Sequence, residues 1–430
     1  MTTTADHPLA GTVEPAVNLR VVRSADDVHE RLAPLIEQIA DHALEHERQR
    51  TLPYDEVRAL AAAGFGALRL PVELGGGGLD LAGFFELLLE VAAADSNLPQ
   101  IWRNHIAFVE DRLQPGSRPH GSGERNALWL RRIADGAVIG AGWSERGNTT
   151  FADTVTELTA DGEGWRLNGT KYYSTGSNFA DWISVAARRE GDEGGVIALV
   201  DATDPGFAVE DDWSGFGQRT TGSGTTRFDD IAVEESDVYA FADRAPYQEA
   251  LYQLVHVTTL AGIATAAHRE AVEQVRRRTR SYVHALAEAP RDDAQLQAVI
   301  GRVGALVASA QAAVHRSARV LDLAADAALR GEPDEVVAAA VNQAAVAVYE
   351  AQVTVAEEAL QATTLIFDAL GSSGVDTSLG LDRHWRNART IASHNPRVYK
   401  ERLLGAWYLN GAPPVVYGDL KDDKPAEDKR

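Results

Sequence analysis

The sequence predicts an α+β protein, mainly α. It should have an N-terminal helical domain, a central antiparallel β domain and a C-terminal four-helix bundle. Three observations predict this. Apolar residues recur at helical spacing near the N-terminus, and a middle stretch breaks into short β-branched and aromatic segments punctuated by Gly, Asn and Asp. The last third holds Ala-rich helical runs long enough for a bundle. The 430 residues suffice for two or three modules on one large core. The expected divisions are a loose arm over 1–20, the helical domain over 21–137, the β domain over 138–240, the bundle over 241–412 and a tail over 413–430.

The first helix follows from Val28, Leu32, Leu35, Ile36, Ile39, Ala40 and Ala43, with Ser24 and Asp27 able to cap its start. A second runs from Pro53 to Gly64, a third covers Leu81 to Ala94, and a fourth covers Leu98 to Leu113. Between them, the four glycines Gly75 to Gly78 resemble a phosphate cradle, but no Lys-Ser/Thr follows, so the stretch reads as a loop. Strand-like segments lie at 138–143, 154–160, 164–176, 182–187, 196–200 and 225–233. Long helices then cover Leu251 to Ala285, Asp293 to Leu329 and Pro333 to Leu370. A shorter one covers Asp382 to Ile391, and Asn395-Pro396 should break it.

The bulk numbers exclude several classes. Cysteine is absent, which rules out disulfides, thiolate nucleophiles and Cys-ligated metals and suits the cytoplasm. No metal site is expected. A net charge of −22 opposes a phosphate backbone, so nucleic acid is excluded as a partner. No apolar run reads as a bilayer span and no basic-then-apolar leader opens the chain, so no membrane association is expected.

Four segments together carry a family signature. They are Asn168-Gly-Thr-Lys171 with Tyr173-Ser-Thr-Gly176 and Asp181; Asp211-Asp-Trp213 with Gly217-Gln-Arg219, Ser223-Gly224 and Phe228-Asp-Asp230; Gln100 with His105; and Asp382-Arg383, Trp385-Arg-Asn387, Arg389-Thr390, His394, Pro396 and Tyr399-Lys400. In this order and spacing the chain resembles the acyl-CoA dehydrogenase superfamily. Within it the likeness is to the two-component (group D) flavin monooxygenases related to dibenzothiophene monooxygenase. The dehydrogenase branch carries a Glu-Gly-Thr base segment after its arginine-rich helix; here the stretch reads Ala392-Ser-His394-Asn-Pro396.

The resemblance implies a homotetrameric flavoprotein that takes reduced flavin, FMN more than FAD, from a separate flavin reductase. With O2 it would form a C4a-(hydro)peroxyflavin and oxygenate a small organic substrate at sulfur, nitrogen or an aromatic carbon. Two alternatives stay open: an acyl-CoA dehydrogenase or oxidase with an atypical base, and a non-catalytic scaffold of the same fold. The catalytic candidates are His394, Thr175 and His105. Histidine moves protons near neutral pH, and Thr175 offers a hydroxyl where relatives carry Ser. Against each stands a bland reading: a helix-end histidine on a carbonyl, a strand threonine, a satisfied semi-buried histidine. The flavin-binding candidates are Ser144, Asn148, Tyr173, Trp213, Ser223, Arg280, Gly371 and Ser373. Tyr173 and Trp213 would be aromatic walls, Ser223 a phosphate or ribitol hydroxyl, and Arg280 a phosphate contact. Gly371-Ser-Ser-Gly374 would reach a neighbouring subunit's flavin. A basic helix run is equally a solvated face, and a glycine-rich helix end is equally a C-cap.

Overall fold

A computed structural model describes residues 25–115, 123–147, 154–190 and 195–414. The expected arm over 1–20, most of the tail, Ser24 and the flavin candidate Asn148 lie outside the described residues. Five helices open the chain: α1 (Ala25–Gln49), α2 (Tyr54–Ala62), α3 (Leu81–Ala94), α4 (Leu98–Leu113) and α5 (Gly123–Ala134). Asp80 caps α3 by accepting the Gly83 amide at 2.7 Å, which satisfies one of the orphan donors of a helix start.

The strands are β1 (Ile139–Gly142), β2 (Glu157–Asp161), β3 (Gly164–Lys171), β4 (Trp182–Arg189), β5 (Gly195–Asp201), β6 (Phe207–Glu210), β7 (Thr225–Glu234) and β8 (Val238–Ala240). They form one sheet in the order β6-β7-β3-β2-β4-β5-β8, with β1 added beside β4. Most pairs are antiparallel, but β1–β4 and β2–β4 run parallel. Alternation gives the sheet two working faces. One closes over Leu158, Leu167, Val185, Val200 and Phe228. The other packs Ile139, Ala186, Ile197, Leu199 and Tyr239 against Phe108 of α4 and Trp129 and Ile133 of α5.

The C-terminal part contains α6 (Gln248–Arg277), α7 (Ala294–Leu329), α8 (Asp334–Leu370), α9 (Asp382–His394) and α10 (Arg397–Asn410). Its apolar faces join those of α1–α4 in one core, so the two helical parts are not separate bodies. Several details depart from the sequence expectation, and α5, β6 and β8 were not foreseen. α6 ends at Arg277, and the chain leaves helical geometry before Arg280. α9 continues to His394. α10 was not foreseen; it closes the bundle by setting Leu403, Leu404 and Trp407 against Val346 and Tyr349 of α8.

The reading that no segment could span a bilayer also needs correction. By length and hydropathy alone α6, α7 and α8 qualify. The apolar window of α6 is 94% buried within the protein, so its composition reflects a core helix. The corresponding windows of α7 and α8 are only 22% and 44% buried, which leaves apolar surface on the outside of the bundle.

Candidate active site

α9 is fixed at both ends. At its start Arg383 and His384 hold Glu270 of α6, at 2.5 and 3.0 Å. In its middle Asn387 accepts the Gln218 backbone amide at 2.6 Å, while Arg386 donates to Glu47 at 2.6 Å and to the Phe216 carbonyl at 2.8 Å. Past its end Asn395 donates to Gln253 at 3.0 Å and accepts from Gln352 at 3.3 Å. The family-signature residues of this helix therefore tether it to the sheet domain's 216–218 loop and to the bundle. Their joint effect is to place His394.

His394 presents open surface, yet surrounding protein and the nearby Arg103 guanidinium push its pKa down to about 3. The side chain is accessible where α9 ends. Its imidazole is neutral across the physiological range, so its use is as a hydrogen-bonding group that can accept a proton, not as a standing acid. The His256 ring lies 4.2 Å away, centroid to centroid. His256 is 2% exposed, neither of its ring nitrogens has a hydrogen-bond partner among the described residues, and burial lowers its pKa well below the ordinary value. Sequence reading missed His256, because a lone His inside an apolar helix gives no signal of its own.

A second set of candidates, on the loops of the sheet domain, is polar and neutral. Thr175 and Ser223 hydroxyls meet at 2.7 Å, and Ser223 meets Thr221 at 2.7 Å. The adjacent Ser174 turns away and pairs with Thr226 at 2.8 Å. Gly176 allows this turn: its φ is +86°, and a Cβ there would lie 2.6 Å from the Ile101 carbonyl of α4. Ser144 is exposed and accepts the Tyr172 amide at 2.8 Å through its carbonyl, which aligns the Trp143-Ser144-Glu145 loop with Tyr172. Tyr173 is exposed at φ +56°, and its ring meets Trp213 edge-on at 6.0 Å. The Trp213 indole is held by the Gly217 carbonyl at 3.1 Å.

These groups suit a flavin. The buried oxygens Gln100 Oε1, Gln218 Oε1 and Thr220 Oγ1 have no hydrogen-bond partner among the described residues, and buried polar atoms are normally paired. Together with the Thr175–Ser223–Thr221 hydroxyls they supply neutral donors and acceptors of the kind an isoalloxazine edge requires, with aromatic rings beside them.

Two candidates shift. Arg280 is exposed and lies beyond the end of α6. Arg278 instead donates to the Ala369 carbonyl at 3.3 Å and to Ser373 Oγ at 3.4 Å, so Arg278 is the cation that meets the 371–374 turn. Gly371 has φ +56° and caps α8, while Ser373 is exposed. His105 is the second correction. Its Nε2 lies 2.9 Å from the Gly66 carbonyl and its Nδ1 accepts the Ile139 amide at 3.2 Å. Both nitrogens are spent joining α4 to the loop at Gly66 and to β1, and burial lowers its pKa to about 4. A neutral, fully satisfied imidazole that is 1% exposed has nothing left to offer a substrate.

The chain matches the acyl-CoA dehydrogenase N-terminal domain over residues 32–137, the middle domain over 140–231 and the C-terminal domain over 254–397. It is 28% identical to a dibenzothiophene monooxygenase of Mycolicibacterium goodii over 84% of this chain and 88% of that protein. It is 30% identical to an L-evernosamine nitrososynthase of a Micromonospora species over 71% of this chain and 72% of that protein. The crystal structure of FMN-bound TdsC from Paenibacillus sp. A11-2 superposes with a TM-score of 0.81 at 25% identity, covering 91% of this chain and 99% of that one.

Proposed function

From the premise that the chain belongs to the acyl-CoA dehydrogenase superfamily, and is a flavin-dependent monooxygenase of it with FMN as cofactor, we propose that it uses reduced FMN delivered by a separate reductase. Its second substrate is O2, and the third is a small organic molecule bound beside His394. Bound reduced FMN supplies the electrons that activate oxygen. The observation that carries the reading is His394, a neutral, accessible imidazole against the His256 ring; the sequence resemblance aligns it with the base segment of the dehydrogenase branch.

The chain's own residues divide the work. Thr175, with Ser223 and Thr221 behind it, offers hydroxyls to the polar edge of the ring. Ser144, Tyr173 and Trp213 belong to the same set, and Arg278 with Ser373 forms a candidate phosphate end. His394 hydrogen-bonds the reacting oxygen and can take its proton at a ring nitrogen.

No glycine-rich nicotinamide fingerprint opens a βαβ unit here. Pure protein with oxidised FMN should therefore leave NADH unconsumed, and turnover should begin only when a flavin reductase is added. Rapid NADH oxidation by the protein alone would overturn the two-component reading.

The half-buried apolar windows of α7 and α8 favour a homotetramer assembled through the bundle. Residues near the Arg278–Ser373 contact then lie close to a subunit boundary. Light scattering should give a mass four times 46.3 kDa, and a stable monomer that binds FMN would contradict it.

A further inference from the structure

Arg103 stands out on α4. Its guanidinium makes no hydrogen bond or ion pair with any described residue. Its guanidinium lies over the Tyr252 ring at 4.9 Å, and the Tyr252 hydroxyl is in turn held by Asn104 at 3.2 Å. Tyr252 also meets Trp143 of the Ser144 loop, with ring centroids 5.7 Å apart. Arg103 is close enough to His394 and His256 to lower the pKa of both. Tyr252 and His256 stand one turn apart on α6, so Arg103 over the Tyr252 ring and His394 against the His256 ring lie along one face of that helix. The nearest influential carboxylate, Glu249, is already engaged by Lys400 at 3.7 Å and Gln253 at 3.1 Å.

A guanidinium remains charged at any ordinary pH, and burying one without an anion is costly. Arg112 shows the sealed alternative. It too lacks hydrogen-bond partners, but it is 1% exposed and clamped between the Phe108 and Tyr239 rings at 5.0 and 4.5 Å. Arg103 has one aromatic face and one open side.

We propose that Arg103 is the recognition residue for an anionic substrate, a small organic molecule bearing a planar or forked oxyanion head such as a carboxylate or sulfinate. This rests on the reading of the surroundings of His394 as the substrate site. The head group would dock on the guanidinium by paired N–H···O bonds, which are stronger and more directional than a point charge provides. The rest of the molecule would lie along Tyr252 and toward His394. The neighbouring neutral histidines fit this arrangement, since they leave Arg103 as the positive charge that the anion meets.

The test uses the full-length protein, with and without FMN, and two isosteric pairs: benzoate against benzamide, and methanesulfinate against dimethyl sulfoxide. Calorimetric titration should show the anion of each pair binding at least tenfold more tightly than its neutral partner. Arg103→Met should erase that preference, a loss of about tenfold to a hundredfold in anion affinity, while FMN affinity stays within a factor of two or three. Arg103→Lys, which keeps the charge but not the fork, should fall between. Equal binding of charged and neutral partners by the unaltered protein overturns the proposal, and needs no variant to fold. An anion preference that survives Arg103→Met overturns it as well. An anion preference in a protein that does not bind FMN upholds Arg103 and overturns the monooxygenase reading instead.

Discussion

Replacing His394 with alanine should cut product formation by about 10²–10⁴, the usual scale for a group that handles a proton in the rate-limiting chemistry. Hydrogen peroxide release should rise at the same time, because reduced FMN and O2 still react while the oxygen is no longer guided to substrate. Folding should survive, since α9 is anchored by Arg383, His384, Arg386 and Asn387 and not by His394. The pH dependence adds a second check. With the His394 pKa held down to about 3, its protonation cannot shape the coupling ratio between pH 5 and 8, so the profile of product to peroxide should be flat there. His394→Glu should uncouple as well, because it sets a negative charge beside developing oxygen charge. It should gain no acyl-CoA oxidation. The measurement is a peroxide assay run beside product analysis. Normal coupling in the alanine variant would leave His394 a structural residue and move the chemistry to Thr175 or the backbone, since His105 is already spent on Gly66 and Ile139.

Replacing Glu145 with alanine should cost about 3–5 kcal/mol of stability, the range for breaking one partner of a buried ion pair. Glu145 and Lys171 meet at 2.7 Å with side chains 4% and 0% exposed. Glu145 also accepts from the Val155 amide at 2.9 Å and from the Thr156 amide and hydroxyl at 3.0 and 2.7 Å. Burial alone would raise its pKa; the Lys171 ammonium and these donors more than offset that and bring it to about 2. A depressed carboxyl stabilises the fold above its unfolded pKa, near 4.5, and loses that contribution as pH falls toward 2. At neutral pH the full effect is present. Alanine leaves Lys171 charged in the interior and frees the loop that carries Ser144. Urea denaturation should show the loss, and FMN titration should show weakened binding. The paired change Glu145→Gln with Lys171→Met should recover most of the stability, because it removes both charges. An alanine variant as stable as the parent would mean that water reaches Lys171.

The order of helices, sheet and bundle was legible because each rests on local periodicity. The apolar rows of α1, α3 and α8 repeat at helical spacing, and the strand segments carry β-branched residues between turn formers. The β domain was legible as strands but not as a mixed sheet, since β1 joins β4 in parallel across a distance in sequence that periodicity does not encode. α10 was missed because its apolar residues, Leu403, Leu404 and Trp407, make sense only against Val346 and Tyr349 on another helix. His394, Thr175 and Ser223 could be named from the family likeness, while their roles could not. His105 had the same credentials as His394, and only the positions of Gly66 and Ile139 showed that its two nitrogens were already used. Arg280 and Arg278 differ by less than one helical turn in sequence, and the end of α6 at Arg277 decided which reaches Ser373. Sequence by itself determined which residue types the chain has to spend and which local elements they build. Tertiary structure alone decided that the His256 ring lies against His394 and that no described carboxylate forms an ion pair with Arg103, because partnership between charges and rings is a matter of distance across the fold.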